Sequence, residues 1–333
     1  MGLFFKAIRR ALASSERWNQ QGQTAILNVM IAVAVMGILM IPISQAFSQA
    51  QAWYSRFETQ SRLTDIVGAI TNAYIANTKQ VEAQTGAVFA LPLGTISPVI
   101  PQTLSGGTRL CLSTPSTFSP LATYTNLSSS LIYKDGFGKP MCIFISTQKS
   151  TTTQGQTVFY HNLAVVSAGR DGSISSATTL TASGALVTGG DDIGRLIDGS
   201  AINTANLNLT ISRMSALITA LQSYFYGRYQ SNINRDTALD YFSNAFDTSG
   251  ILPDTGGVAI AATAANFPAA LGISGQGLQD AYGSTFTFDN SSSAVRSPSN
   301  PNGIAYTSQP FTANVCTTLP GGQALCQTAL GSY

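Results

Sequence analysis

Charge is scarce in this sequence. Of its 333 residues only 10% are Asp, Glu, Lys or Arg, and the formal net charge is +2. A nucleic-acid-binding protein concentrates Lys and Arg on one face, and this composition argues against one. Histidine occurs once, at His161, and neither a Gly-x-Ser-x-Gly elbow nor a Walker loop is present. His161 sits between Tyr160 and Asn162 at the start of an expected strand, where it reads as a satisfied or solvated side chain rather than a general base. No catalytic residue is assigned, and an enzyme is not expected. The four cysteines contain no Cys-x-x-Cys pair, which speaks against a zinc or redox centre. What remains is a chain rich in Ser, Thr, Gly, Ala and Asn. Apolar clusters recur along its whole length and can fill cores, which argues against disorder.

The longest absence is also the most informative. No Asp, Glu, Lys, Arg or His occurs between Arg17 and Arg56. A membrane span needs about 20 mostly apolar residues at 1.5 Å rise each, and Thr24 to Phe47 suffices. Lys6, Arg9, Arg10 and Arg17 precede it against a single Glu16. By the positive-inside rule that end stays cytoplasmic and everything after about Phe47 is exported. A signal peptide would have a shorter apolar core and a small-x-small cleavage site. From Ser44 to Asn77 there is no Pro and only Gly68, and Leu63, Ile66, Val67, Ile70 and Tyr74 fall at i, i+3, i+4, i+7 spacing. One amphipathic helix is therefore expected to continue from the span, roughly 75–80 Å from Thr24 to Ile75. Pro42 is expected to bend it locally.

Two patterns occur twice. Ser61-Arg62-Leu63-x-x-Ile66-Val67-x-Ala69-Ile70-x-x-x-Tyr74 is echoed by Ser212-Arg213-Met214-x-x-Leu217-Ile218-x-Ala220-Leu221-x-x-x-Phe225. Asp135-x-Phe137-Gly138-x-x-Met141-x-Ile143 is echoed by Asp280-x-Tyr282-Gly283-x-x-Phe286-x-Phe288. In each case a turn residue and glycines precede a short apolar run that reads as a strand. The near-equal offsets point to a tandem duplication of a helix-plus-sheet unit. The second helix is expected over 204–230, with 198–206 as a joint between the units.

The N-terminal residues resemble a known class. A basic leader, Gly22-Gln23-Thr24-Ala25-Ile26-Leu27, and Met36-Gly37-Ile38-Leu39-Met40-Ile41-Pro42 are similar to type IV prepilins and type II secretion pseudopilins. Asp135-Gly-Phe-Gly-Lys-Pro140 before Met141–Ser146, then Ser167-Ala-Gly-Arg-Asp-Gly172, resemble the major-pseudopilin turn and strand pattern. The resemblance implies cleavage by a prepilin peptidase between Gly22 and Gln23. It departs from the family at Gln23, where Phe or Met is usual, and at Leu27, where the family has Glu.

What it implies is an α+β fold: a long N-terminal membrane and amphipathic helix packed on antiparallel sheet, with two tandem pilin-like globular units. The expected divisions are a leader at 1–22, the helix at 23–80, a first unit at 81–200 and a second at 201–333. The implied role is a structural subunit, major or minor, of a type IV pilus or a type II secretion pseudopilus. The alternative is an uncleaved, membrane-anchored exported binding protein. Implied partners are other pilin subunits, the prepilin peptidase, inner-membrane assembly machinery and the membrane itself, with no nucleic acid. The implied location is a bacterial inner membrane with a periplasmic globular part, or an extracellular pilus once assembled. Export permits disulfides. Cys111, Cys142, Cys316 and Cys326 allow three connectivities, of which proximity favours Cys111–Cys142 and Cys316–Cys326. Asp171, Asp191 and Asp192 resemble the calcium loop of major pseudopilins, since crowded oxygen ligands on a Gly-rich loop suit Ca2+. A solvated acidic turn accounts for the same three residues.

Overall fold

A computed structural model describes residues 2–83, 102–104, 107–111, 128, 132–237, 240–242, 260–261, 270–290 and 311–333. The chain divides into two compact units, Met1–Glu58 and Thr59–Tyr333. Helix α1, Gly2–Glu82, runs through the boundary, so the basic segment is helical too and has no backbone break at Gly22 or Gln23. Helical dihedrals continue through Pro42. The interruption falls instead at Asn77 (φ −125°, ψ 17°), where side chains take over carbonyls of the preceding turn. Asn77 Nδ2 donates to Ala73 O at 2.8 Å, and Thr78 Oγ1 donates to Tyr74 O at 2.8 Å. The helix also extends past Ile75 by nearly two turns.

Within Thr59–Tyr333, the strands β1 (Gln102–Leu104), β2 (Gly107–Cys111), β3 (Met141–Ser146), β6 (Leu163–Ser167) and β9 (Ile193–Ile197) form one antiparallel sheet in the order β1-β2-β3-β6-β9. A hairpin, β4 (Lys149–Thr153) with β5 (Gln156–Tyr160), leaves this sheet between β3 and β6. The apolar stripe of α1 covers one face of the sheet. Leu63, Ile66, Ile70, Tyr74 and Val81 pack on Met141, Ile143, Ile145, Leu163, Val165 and Ile197, with Val67 partly buried beside them. Burying such a side chain contributes about 1.5–3 kcal/mol, which makes the stripe the main reason the helix docks. The insert after Gly172 explains a departure from period-2 alternation. Its short pair β7 (Thr179–Leu180) and β8 (Leu186–Val187) folds over the opposite face, burying Phe144, Ala164, Val166 and Leu180. Every residue of β3 and β6 is consequently buried, as in sheets covered on both sides.

Helix α2, Gly199–Ser231, begins five residues earlier than the sequence suggests. Asp198 is its cap: Oδ1 accepts from Ser200 N at 2.9 Å and from Ala201 N at 3.3 Å. The composition of 198–206 reads as a linker, but a capped polar first turn has the same composition. Strands β10 (Ile260–Ala261), β11 (Thr287–Asn290), β12 (Thr312–Thr318) and β13 (Ala324–Leu330) form a second antiparallel sheet in that order. Leu207, Met214, Leu217, Leu221 and Phe225 of α2 pack on Phe286, Phe288, Ala313, Val315, Leu325 and Ala329. Among the described residues one face of this sheet is covered, and β12 alternates accordingly. Val158 of β5 is buried in the same cluster. The hairpin of the first sheet thus completes the core of the second. Both helix-and-sheet layers lie within the unit Thr59–Tyr333.

Candidate assembly surface and the repeated helix clamp

In the first unit, the described side chains from Leu27 to Glu58 include none that is buried. Val29, Met30, Val33, Met36, Met40 and Ile43 are each about half exposed or more. Leu27, where the resembled family carries Glu, is 58% exposed. By length and composition the helix can cross a membrane, as an anchor or a signal sequence. Past the apolar run Trp53 stacks on Phe57, with ring centroids 6.0 Å apart, and both face outward.

From Thr59 onward the same helix is held by a specific device. Asp135 is buried, and its Oδ1 accepts from Phe137 N at 2.9 Å and Lys139 N at 2.8 Å, closing the turn before β3. Its Oδ2 accepts from Ser167 Oγ at 2.6 Å at the end of β6. Arg62 of α1 donates through Nη1 to the carbonyls of Lys134 and Asp135, both at 3.0 Å. Thr59 Oγ1 accepts from Gly136 N at 3.0 Å. Every contact recurs around α2. Asp280 Oδ1 accepts from Tyr282 N at 2.9 Å and Ser284 N at 2.7 Å, and its Oδ2 accepts from Thr317 Oγ1 at 2.6 Å. Arg213 Nη1 donates to Gln279 O and Asp280 O, both at 3.1 Å, and Thr210 Oγ1 accepts from Ala281 N at 3.0 Å. Gly138 and Gly283 both lie at positive φ, 74° and 80°, which glycine adopts without steric cost. The sequence echo contains the Arg and Asp of each clamp. It gives no sign of the Thr59 and Thr210 acceptors or of the Ser167 and Thr317 donors, which lie outside the matched strings.

The two layers meet at a buried polar node. Glu82, at the end of α1, accepts from His161 N (3.2 Å) and Tyr74 Oη (2.5 Å), and its Oε2 lies 2.9 Å from His161 Nδ1. Glu82 and His161 are each 1% exposed. Tyr74 Oη accepts from Asn203 Nδ2 at 2.9 Å, and Gly199 N donates to Asn162 Oδ1 at 3.1 Å. Burial and the neighbouring Glu82 carboxylate push the Tyr74 phenol, well past the apolar run, above its ordinary value. Burial and Asp280 do the same to Tyr282. His161 is therefore a satisfied interior group.

The other residues singled out from the sequence fall as follows. Gly22 and Gln23 lie in the helical backbone of α1. Cys316 and Cys326 are directly opposed on β12 and β13 and form a disulfide. Cys142 is also disulfide-bonded, and the register of β2 and β3 sets Cys111 directly across from it. The three aspartates do not gather around a common point. Asp171 Oδ1 accepts from Ser173 N, Asp191 Oδ2 from Arg170 N, and Asp192 Oδ2 from Ser175 N and Thr178 Oγ1. Among the described residues no group of three or more His, Cys, Asp or Glu side chains can hold a metal. Asp192 Oδ1 is buried without a partner among the described residues. These carboxylates staple their own loop, and no step is derived through a bound ion. No protein-family model, no curated protein and no solved structure matches the chain.

Proposed function

We propose that this chain is a structural subunit of the type IV pilin and pseudopilin class. It carries a second, duplicated pilin-like helix-and-sheet unit behind the first. The observation that supports this reading is the clamp seen twice, Thr59–Arg62–Asp135–Ser167 and Thr210–Arg213–Asp280–Thr317, with only the first helix preceded by a charge-free, outward-facing apolar run. A helix apolar on all sides, with no buried side chain among those described, is suited to a bilayer or to a bundle of like helices. The clamp and stripe beyond it hold the globular part on the later turns of α1. Other copies of the chain, a prepilin peptidase and inner-membrane assembly machinery are the partners such a subunit needs. Its globular part would then lie in the periplasm, or outside the cell once assembled.

Leader removal tests the proposal. Mass spectrometry of the native protein should find an N-terminus at Gln23. Gly22→Val should leave the leader in place and keep the protein in the membrane and out of any filament, because a peptidase must approach the backbone closely there. A native protein that retains residues 1–22 would support the uncleaved, anchored alternative instead.

A further inference from the structure

The contact between α1 and the start of α2 is made differently from the rest of the interior. Elsewhere helices meet sheets through apolar side chains together with the two clamps, whose hydrogen bonds are all made. Here the buried groups are Tyr74, Glu82, His161, Asn162, Asn203 and Asn206. Two of their atoms, Asn203 Oδ1 and Asn206 Nδ2, find no hydrogen-bond partner among the described residues. An unsatisfied buried polar atom carries a desolvation cost that contact with water removes. Opening such a boundary to water satisfies atoms that closure leaves unpaired.

The residues that keep it shut lie on a separate piece of α1. The interruption at Asn77 sets Thr78–Glu82 apart from the preceding turns. This short strap is pinned at both ends. Lys79 Nζ donates to Ser284 Oγ at 2.6 Å, and Gln148 Nε2 donates to the Glu82 carbonyl at 2.7 Å. The Glu82 carboxylate gathers the Tyr74 hydroxyl, the His161 amide and the His161 ring at one point. Tyr74 in turn holds Asn203, and Tyr282 Oη donates to Asn203 O at 3.2 Å. The backbone leaves no slack at the pivot: a Cβ on Gly199 would lie 2.0 Å from the His161 carbonyl oxygen.

We infer that Thr78–Glu82 is a latch, with the Glu82 carboxylate as its catch. Releasing it frees the first two turns of α2, residues 199–206, while both clamps stay closed. Opening exposes a face carrying Asn162, Asn203 and Asn206. The separation follows from chemistry. The clamps and the Val158 contact hold α2 from Leu207 onward through apolar cores and satisfied hydrogen bonds, whereas the first two turns are held by the polar node with only the partly buried Ile202 packed on an apolar core.

Amide hydrogen exchange on the full chain in detergent micelles tests this. Glu82→Ala should speed exchange at 161–162 and 199–206 by roughly 10- to 100-fold. The amides of Gly136 and Ala281, bonded to Thr59 and Thr210, should keep their wild-type rates. Glu82→Gln, which brings an amide donor to a point where three donors already converge, should act in the same direction. Equal acceleration at Gly136 and Ala281, or no change at 199–206, would overturn the inference. Should Glu82→Ala not fold, Asn206→Leu decides the matter. It removes one orphaned atom at nearly constant size and should slow exchange at 199–206, and unchanged or faster exchange there would count against a latch.

Discussion

At the scale of single residues the two buried aspartates carry more of the structure than their number suggests. Each closes a turn, receives a hydroxyl from a neighbouring strand and lies under an arginine that reads two carbonyls of the same turn. Hydrogen bonds to a charged group contribute about 1.5–3 kcal/mol each, and losing the acceptor leaves buried amides unpaired. Asp135→Ala and Asp280→Ala should each destabilise the protein by about 3 kcal/mol or more. The two values should agree closely if the turns are equivalent, as urea titration would measure. The tyrosines set a limit on the alkaline side. Tyr282 is held above its ordinary value by burial and by Asp280. Its unfolded value is about 10, so the folded state binds its proton more tightly. The contribution is complete below about pH 10 and is lost as pH climbs from there towards the folded value. Melting temperature should fall above pH 10, and Tyr282→Phe should lessen that fall. A Tyr282→Phe protein with an unchanged alkaline slope would exclude this cause.

At the scale of elements, legibility tracked periodicity. The stripe Leu63, Ile66, Ile70 and Tyr74 was visible because a 3.6-residue period needs no partner to be seen. The echo of that stripe in Met214, Leu217, Leu221 and Phe225 was visible for the same reason. The start of α2 was not: Asp198, Ser200, Asn203 and Asn206 look like a linker, because polar residues inside a helix carry no periodic signal when their partners lie far away in sequence. Tyr74 and Asn203 are 129 residues apart. The insert after Gly172 likewise gave no sign that it would cover a sheet face, since its contribution there is Leu180 with the half-buried Ile174 and Leu186. At Pro42 the chain keeps helical angles. The charge-free part of α1 leads to an expectation of its own. A chain starting at Ser55 keeps Thr59, Arg62 and the whole buried stripe. It should be soluble without detergent and retain the far-UV spectrum of its layers, whereas the full chain should need detergent. Full-length protein remaining in solution after high-speed centrifugation without detergent would remove the basis for a membrane anchor.

At the scale of the molecule, the two helix-and-sheet layers are repeated in plan yet joined in substance. The β4–β5 hairpin emerges from the first sheet and places Val158 in the second core, and Thr157 N donates to Gln323 Oε1 at 3.1 Å. Gln154 Nε2 reaches Asn208 Oδ1 at 3.0 Å on α2. Separate units in tandem would melt separately. A core that draws residues from both layers couples them, so calorimetry of residues 55–333 should give one transition whose calorimetric and van't Hoff enthalpies agree. Two resolved transitions would mean the hairpin contact is incidental.

The disulfide between directly opposed positions of the last two strands has a mechanical side. Cys316 and Cys326 are separated by ten residues in sequence and by 4.2 Å between Cα atoms. Tension applied at the C-terminus passes through Cys326 to Cys316 and into β12 without loading the reversal between them. The hairpin cannot be unzipped past that rung. Roughly 30 Å of chain, at about 3.3–3.6 Å per residue, is withheld from extension for as long as the sulfurs stay joined. A subunit that had to bear load along a fibre would thereby give up less length before its second sheet began to shear.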